Sequence, residues 1–277
     1  MKIKIIIFTI LYVSFLLSNI NINSNFNNND TLLNNYKYKE DLIKNNNFMN
    51  FMKSNFKIKV PYNLQIKKQT KKLLNQKKYI TKTLIKYEPY MHWIIEQLIL
   101  NNIPIEISLL PIIESNFDPN AQSNSKELGI WQLSPAIAKS YGLKDNDFYD
   151  GRKDIVASTY VAISFIKKLN YIFNGDWILT IAAYNSGENR VIKAIKKNKK
   201  LKKNTKNIWS LSLPQETIIY VSKILALRYI ISNYSKFNIF LPKLDKNKIL
   251  EKVKVNKKIT LQILANKIDI PFDEIKK

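Results

Sequence analysis

Leu109-Leu110-Pro111-Ile112-Ile113-Glu114-Ser115-Asn116-Phe117-Asp118 is the stretch on which the reading of this chain turns. An apolar run delivers one carboxyl to the C-terminal end of a helix, and Asp118-Pro119 stops it. A glutamate emerging from a hydrophobic wall is hard to ionise, so its pKa rises toward the range a general acid near neutrality needs. A solvated surface glutamate has no such property, and the surrounding sequence has to decide between the two.

Outward from that stretch the punctuation describes consecutive helices. Upstream, Ile80 to Asn102 repeats apolar residues at helical spacing, and Pro104 opens the helix that carries Ile105, Leu109, Ile112 and Ile113. Downstream, Ser134-Pro135 opens a helix closed by Gly142, and Asp154 caps a longer one ending at Asn174-Gly175. Asp176 caps Trp177 to Tyr184, Gly187 breaks it, another helix carries Val191, Ala194 and Ile195, and Pro214 starts the last long one. No central run alternates with period two, so an all-α body is expected.

Composition narrows the chemistry. With no Cys and one His in 277 residues, thiol nucleophiles, Ser-His-Asp arrangements and multi-histidine metal sites are excluded, leaving carboxylates, Lys, Tyr and Ser. His92, in an apolar helical stretch, reads as a packing or surface residue. The net charge of +24 is spread along a chain rich in Lys, Asn and Ile, so no nucleic-acid partner is inferred, and a basic face equally suits a polyanionic cell wall.

Residues 1–20 read as a signal peptide or tether: Lys2 and Lys4 precede an apolar run from Ile5 to Leu17. As a helix that run covers roughly 20 Å of a hydrocarbon core of about 30 Å, which favours export with cleavage over anchoring. Residues 21–55 read as an Asn-rich linker, 56–240 as the main domain with a helical lead-in and a core over 85–235, and 241–277 as a small α/β appendage. In the appendage, 249–255 suits a strand and 261–268 a short helix.

Four segments resemble, in order and spacing, the lysozyme-like catalytic domain of the lytic murein transglycosylase family. They are Glu114-Ser115, Gly129-Ile130-Trp131-Gln132, Ala183-Tyr184-Asn185-Ser186-Gly187, and Leu213-Pro214-Gln215-Glu216-Thr217 with Tyr220-Val221. The Gly-Ile-Trp-Gln form, Asp150-Gly151-Arg152-Lys153-Asp154 and Trp209-Ser210-Leu211 look like the membrane-bound D branch of that family. The resemblance implies that Glu114 is catalytic and that Ser123, Gln132, Tyr184, Asn185 and Tyr220 line the saccharide cleft. Trp131 stays undecided between ligand and core. Asn124-Ser125-Lys126-Glu127-Leu128 departs from the family, which has small residues there, and brings bulk and charge to one cleft wall. The tail resembles the connector ahead of LysM repeats but holds no complete repeat.

The resemblance further implies cleavage of the bond between N-acetylmuramic acid and N-acetylglucosamine without water. Glu114 is acid and then base, the substrate's acetamido group assists, and a 1,6-anhydro end forms with no metal or cofactor. The implied partner is the glycan strand of peptidoglycan, met by a periplasmic monomer that touches a membrane only through the N-terminal segment, if that segment stays uncleaved. Two readings stay open beside it. A hydrolytic lysozyme on the same fold needs a second carboxylate, with Asp118, Asp145, Asp147 and Asp150 as nominal candidates. A non-catalytic wall-binding protein needs only the cleft.

Overall fold

The local chemistry read above sets most helix ends in the computed structural model, which describes residues 5–6, 48–205, 207–239, 250–251, 259–268 and 271–272. The lead-in consists of α1 (Phe48–Asn55), α2 (Leu64–Asn75) and α3 (Lys77–Lys86), followed by α4 (Glu88–Leu100). A 3-10 turn at Ile105–Leu109 runs into α5 (Leu110–Ser115), and α6 (Pro135–Ser140) follows a long loop. Then come α7 (Ile155–Ile172), α8 (Trp177–Ser186), α9 (Glu188–Lys200), a 3-10 turn at Ile208–Ser210 and α10 (Gln215–Ser232). The body is all-α apart from the hairpin of β2 (Asp145–Asn146) and β3 (Tyr149–Asp150). Beyond it lie α11 (Leu261–Ile268) and a two-residue parallel pairing of β1 (Ile5–Ile6) with β4 (Leu250–Glu251).

The expected caps form. Asp154 Oδ1 accepts the N–H groups of Val156 and Ala157, and Asp176 Oδ1 those of Ile178 and Leu179, so each carboxylate satisfies two otherwise orphaned donors. Ser134 caps α6 through the N–H of Ile137. Central to the packing is α10, which is buried almost all round: Thr217, Ile218, Tyr220, Val221, Ser222, Ile224, Leu225 and Leu227 are all hidden. Such a helix has little wet face and lies inside the bundle. It packs against α1, α2, α5 and α8, and so carries Tyr220 to the level of Glu114.

Three boundaries differ from the sequence expectation. Residues 48–55, assigned to the Asn-rich linker, form α1, whose Phe51 and Met52 are buried against the body. An apolar stripe at i, i+1, i+3 and i+4 (Phe48, Met49, Phe51, Met52) was masked by the asparagines around it. The single upstream helix is two, because Pro89 in the first turn of α4 has no N–H with which to continue α3. The helix expected from Pro104 begins as a 3-10 turn, since Pro111 likewise cannot donate and the chain tightens ahead of it.

A buried carboxylate ties the lead-in to the body. Glu106 Oε1 accepts the N–H of Ile58 at 2.5 Å and lies 3.9 Å from Arg228 Nε on α10, while the Arg228 guanidinium stacks over Phe56. Nearly all of the expected signal segment and most of the linker and appendage lie outside the described residues. No helix among the described residues is long and apolar enough to cross a membrane.

Candidate active site

Glu114 occupies the last turn of α5, a helix ended by two successive left-handed residues, Asn116 and Phe117. The N–H of Phe117 returns to Pro111 O and that of Asn116 to Ile112 O, which closes the helix in a Schellman-type cap. Phe117 is then buried and stacks on Tyr87. This cap anchors α5 to α4's N-terminal end and fixes where the Glu114 carboxyl emerges.

The carboxyl does not point into bulk water. Tyr220 Oη donates to Glu114 Oε1 at 2.5 Å, across 106 positions of sequence. Burial pushes the Glu114 pKa from the ordinary 4.5 up to about 7; the Tyr220 hydroxyl and Lys223 oppose that rise and the charge of Glu127 adds to it. Burial, followed by the field of Glu114, holds the phenols of Tyr220 and Tyr184 well above their usual range. Both are therefore neutral donors at any physiological pH.

The opposite side is the loop between α5 and α6. Gly129 adopts φ +81°, and a Cβ there would meet Arg152 O at 1.9 Å, so conformation and close approach both demand glycine. Gly187, by contrast, has φ +83° with nothing within 4 Å of a Cβ, so only its conformation matters. Ser115 Oγ donates to Ile130 O, Tyr184 Oη donates to Trp131 O at 2.6 Å, and Arg152 Nη1 donates to Lys126 O. The loop is thus pinned to α5, α8 and the segment after the hairpin.

The expected cleft residues divide into two groups. Tyr220 touches Glu114 directly, and Tyr184 shares its electrostatic environment. Ser123 bonds to Glu127, its Oγ donating to Oε2 at 3.2 Å and accepting the Glu127 N–H at 3.1 Å. Gln132 turns its amide inward: Nε2 donates to Ala121 O and Gly129 O, so it braces the loop and only its carbonyl oxygen is left to meet a ligand. Asn185 is half-buried at the end of α8, with no side-chain hydrogen bond to another described residue. Trp131 is core, fully buried with Nε1 donating to Thr159 Oγ1.

None of the four nominal second carboxylates reaches Glu114. Asp118 accepts the N–H of Asn120 in an Asx turn, Asp150 pairs with Arg152 at 2.6 Å, and Asp145 and Asp147 are exposed. The carboxylate that acts on Glu114 is Glu127, which sequence reasoning did not single out; its signal was the charge in a loop where small residues were expected. Among the described residues no three His, Asp or Glu side chains converge as metal ligands.

Residues 91–207 match the family described as Transglycosylase SLT domain. Over 226 residues, 82% of this chain and 50% of the relative, the sequence is 43% identical to membrane-bound lytic murein transglycosylase D of Escherichia coli strain K12. It is 46% identical over 108 residues, 39% of this chain and 52% of the relative, to a putative tributyltin chloride resistance protein of Alteromonas sp. strain M-1. A putative soluble lytic murein transglycosylase of Haemophilus influenzae is 33% identical over 81 residues, 28% of this chain and 14% of the relative. The chain spans about half the length of the Escherichia coli relative.

Proposed function

Since residues 91–207 belong to the transglycosylase SLT domain family, we propose that this chain cleaves the β-1,4 bond between N-acetylmuramic acid and N-acetylglucosamine in peptidoglycan, leaving 1,6-anhydro ends. The observation that carries the reading is a single carboxyl, half-buried at a helix end, bonded to Tyr220 and poised at about pH 7. A group with that pKa is present in both forms near neutrality, as a residue that must give and then take a proton requires.

In this reading protonated Glu114 donates to the glycosidic oxygen as the C1–O4 bond breaks. The acetamido oxygen of the substrate supports the positive charge left at C1. Glu114, now anionic and stabilised by the Tyr220 O–H, removes the proton of the muramyl 6-hydroxyl, and O6 closes onto C1. The proton lent in the first half returns in the second, and no water enters. Asn185 and the carbonyl of Gln132 serve as hydrogen-bonding groups for the sugars. The protein is exported to the periplasm and acts there on glycan strands as a monomer.

Mass analysis of muropeptides released from purified sacculi tests the reading. Wild type yields anhydro ends and Glu114→Gln yields none. Reducing ends from wild type would show hydrolysis instead, and no release from either would show a binding protein.

A further inference from the structure

Away from the cleft, the C-terminal ends of α4 and α7 and the start of α8 meet around a hollow of about 370 Å³. That volume lies within the range of small-ligand sites, roughly 300–1,000 Å³. Four asparagines line it, and two are engaged: Asn101 donates to Gln97 O and accepts from Lys167 Nζ, and Asn170 Nδ2 donates to Thr180 Oγ1. Asn102 and Asn174 make no side-chain hydrogen bond to another described residue. Two aromatics complete the lining. Tyr171 is 86% exposed, and Trp177 is half-buried against the core with no partner for its indole N–H among the described residues. Left-handed φ values of +56° and +50° account for asparagine at 102 and 174, where glycine would serve equally, but not for the two rings beside them. Among the described residues none that lines the hollow is a carboxylate, so it can hold a ligand but has no acid with which to cleave one.

We propose that this hollow is a second glycan-binding site, which holds N-acetylated sugars of the strand outside the reaction centre. The choice of ligand rests on the substrate proposed above. A pyranose ring has C–H faces that pack on an aromatic ring, and its acetamido and hydroxyl groups both donate and accept, as a primary amide does. Tyr171 and Trp177 supply the rings, the amides of Asn102 and Asn174 the two-way hydrogen bonding, and the indole N–H one further donor. Lys167 is the charge in the lining and is drawn to Asn101, so the hollow suits neutral sugars better than phosphates. Trp177 and Tyr184 stand seven residues apart on α8, on one face and about 10 Å apart along its axis. A strand held there stays near Glu114 between cuts, since a second contact raises its effective concentration at the cleft.

Chitotetraose, a tetramer of N-acetylglucosamine, is titrated into the full chain carrying Glu114→Gln, which prevents turnover. Binding is followed by proton–nitrogen NMR, with the Trp177 indole signal identified by its loss in Trp177→Phe. Asn102→Gly and Asn174→Gly keep the left-handed backbone while removing the amides, and Tyr171→Ala removes an exposed ring, so the triple variant should fold as its parent does. The Trp177 signal is expected to shift saturably in the parent, with the midpoint raised roughly tenfold in the triple variant and severalfold in Tyr171→Ala alone. A Trp177 signal that does not move in the parent, or one midpoint shared by the parent and both variants, would overturn the proposal. A titrating Trp177 signal with no anhydro products from wild type sinks the reaction and leaves the site standing, whereas anhydro products with a silent Trp177 remove the site alone.

Discussion

Replacing Glu114 by Gln should abolish cleavage and at the same time stabilise the protein, but only at high pH. Gln keeps the shape and can still accept the Tyr220 O–H, while it can never carry the charge that the recess disfavours. Below about pH 4 the wild-type carboxyl is neutral in both folded and unfolded chains, and the two proteins should be equally stable. As pH rises from 4.5 the unfolded chain releases its proton while the folded one keeps it until about 7, so wild-type stability falls across that window and is flat above it. The interval corresponds to at most about 3 kcal/mol at about 1.4 kcal/mol per pH unit. Allowing for the water that reaches a half-buried group, the expected gain at about pH 8 is roughly 2 kcal/mol, or about 4–8 °C in Tm. Urea unfolding of both proteins at about pH 4 and pH 8 measures it, with equal m-values as the control. A gain of the same size at both pH values, or a loss at pH 8, would refute the account of Glu114 as a carboxyl held neutral by its recess.

Tyr220→Phe removes the donor that opposes burial, so the Glu114 pKa should rise further and the basic limb move up, with kcat reduced about 10- to 100-fold in steady-state assays on sacculi. Gly129→Ala places a Cβ against Arg152 O at a positive φ and should cost about 3 kcal/mol or more in chemical denaturation, with activity lost as the loop shifts. Asp154→Ala removes a cap that satisfies two N–H groups of α7, together with the acceptor of the Tyr149 O–H. It should cost about 1–2 kcal/mol by thermal unfolding and leave the pH profile in place.

Much of the fold was legible because the signals are local. Asp154, Asp176 and Ser134 satisfy donors two or three residues away, and Gly187 and Pro214 act on their own backbone, so no tertiary knowledge is needed to place those ends. The reading failed where context outweighed the local pattern. Asparagines on either side concealed α1, whose hydrophobic pair is stabilised only by a body formed from residues far away. For Gln132 the sequence offered a whole amide, and only its left-handed backbone shows the NH2 group turned onto two carbonyls of its own loop, with the carbonyl oxygen left over. Trp131 was undecidable by position because its partner, Thr159, lies on a different helix.

By itself the sequence determined most of the succession of helices, since caps and breakers act within a turn or two of where they stand, and it marked Glu114 as the candidate acid through segments spread from Glu114 to Val221. Which groups surround that acid was decided only in three dimensions. Tyr220, Lys223, Tyr184 and Glu127 reach the recess from two helices and a loop. A carboxyl's proton affinity depends on the charge and water within a few ångströms, whatever the separation along the chain.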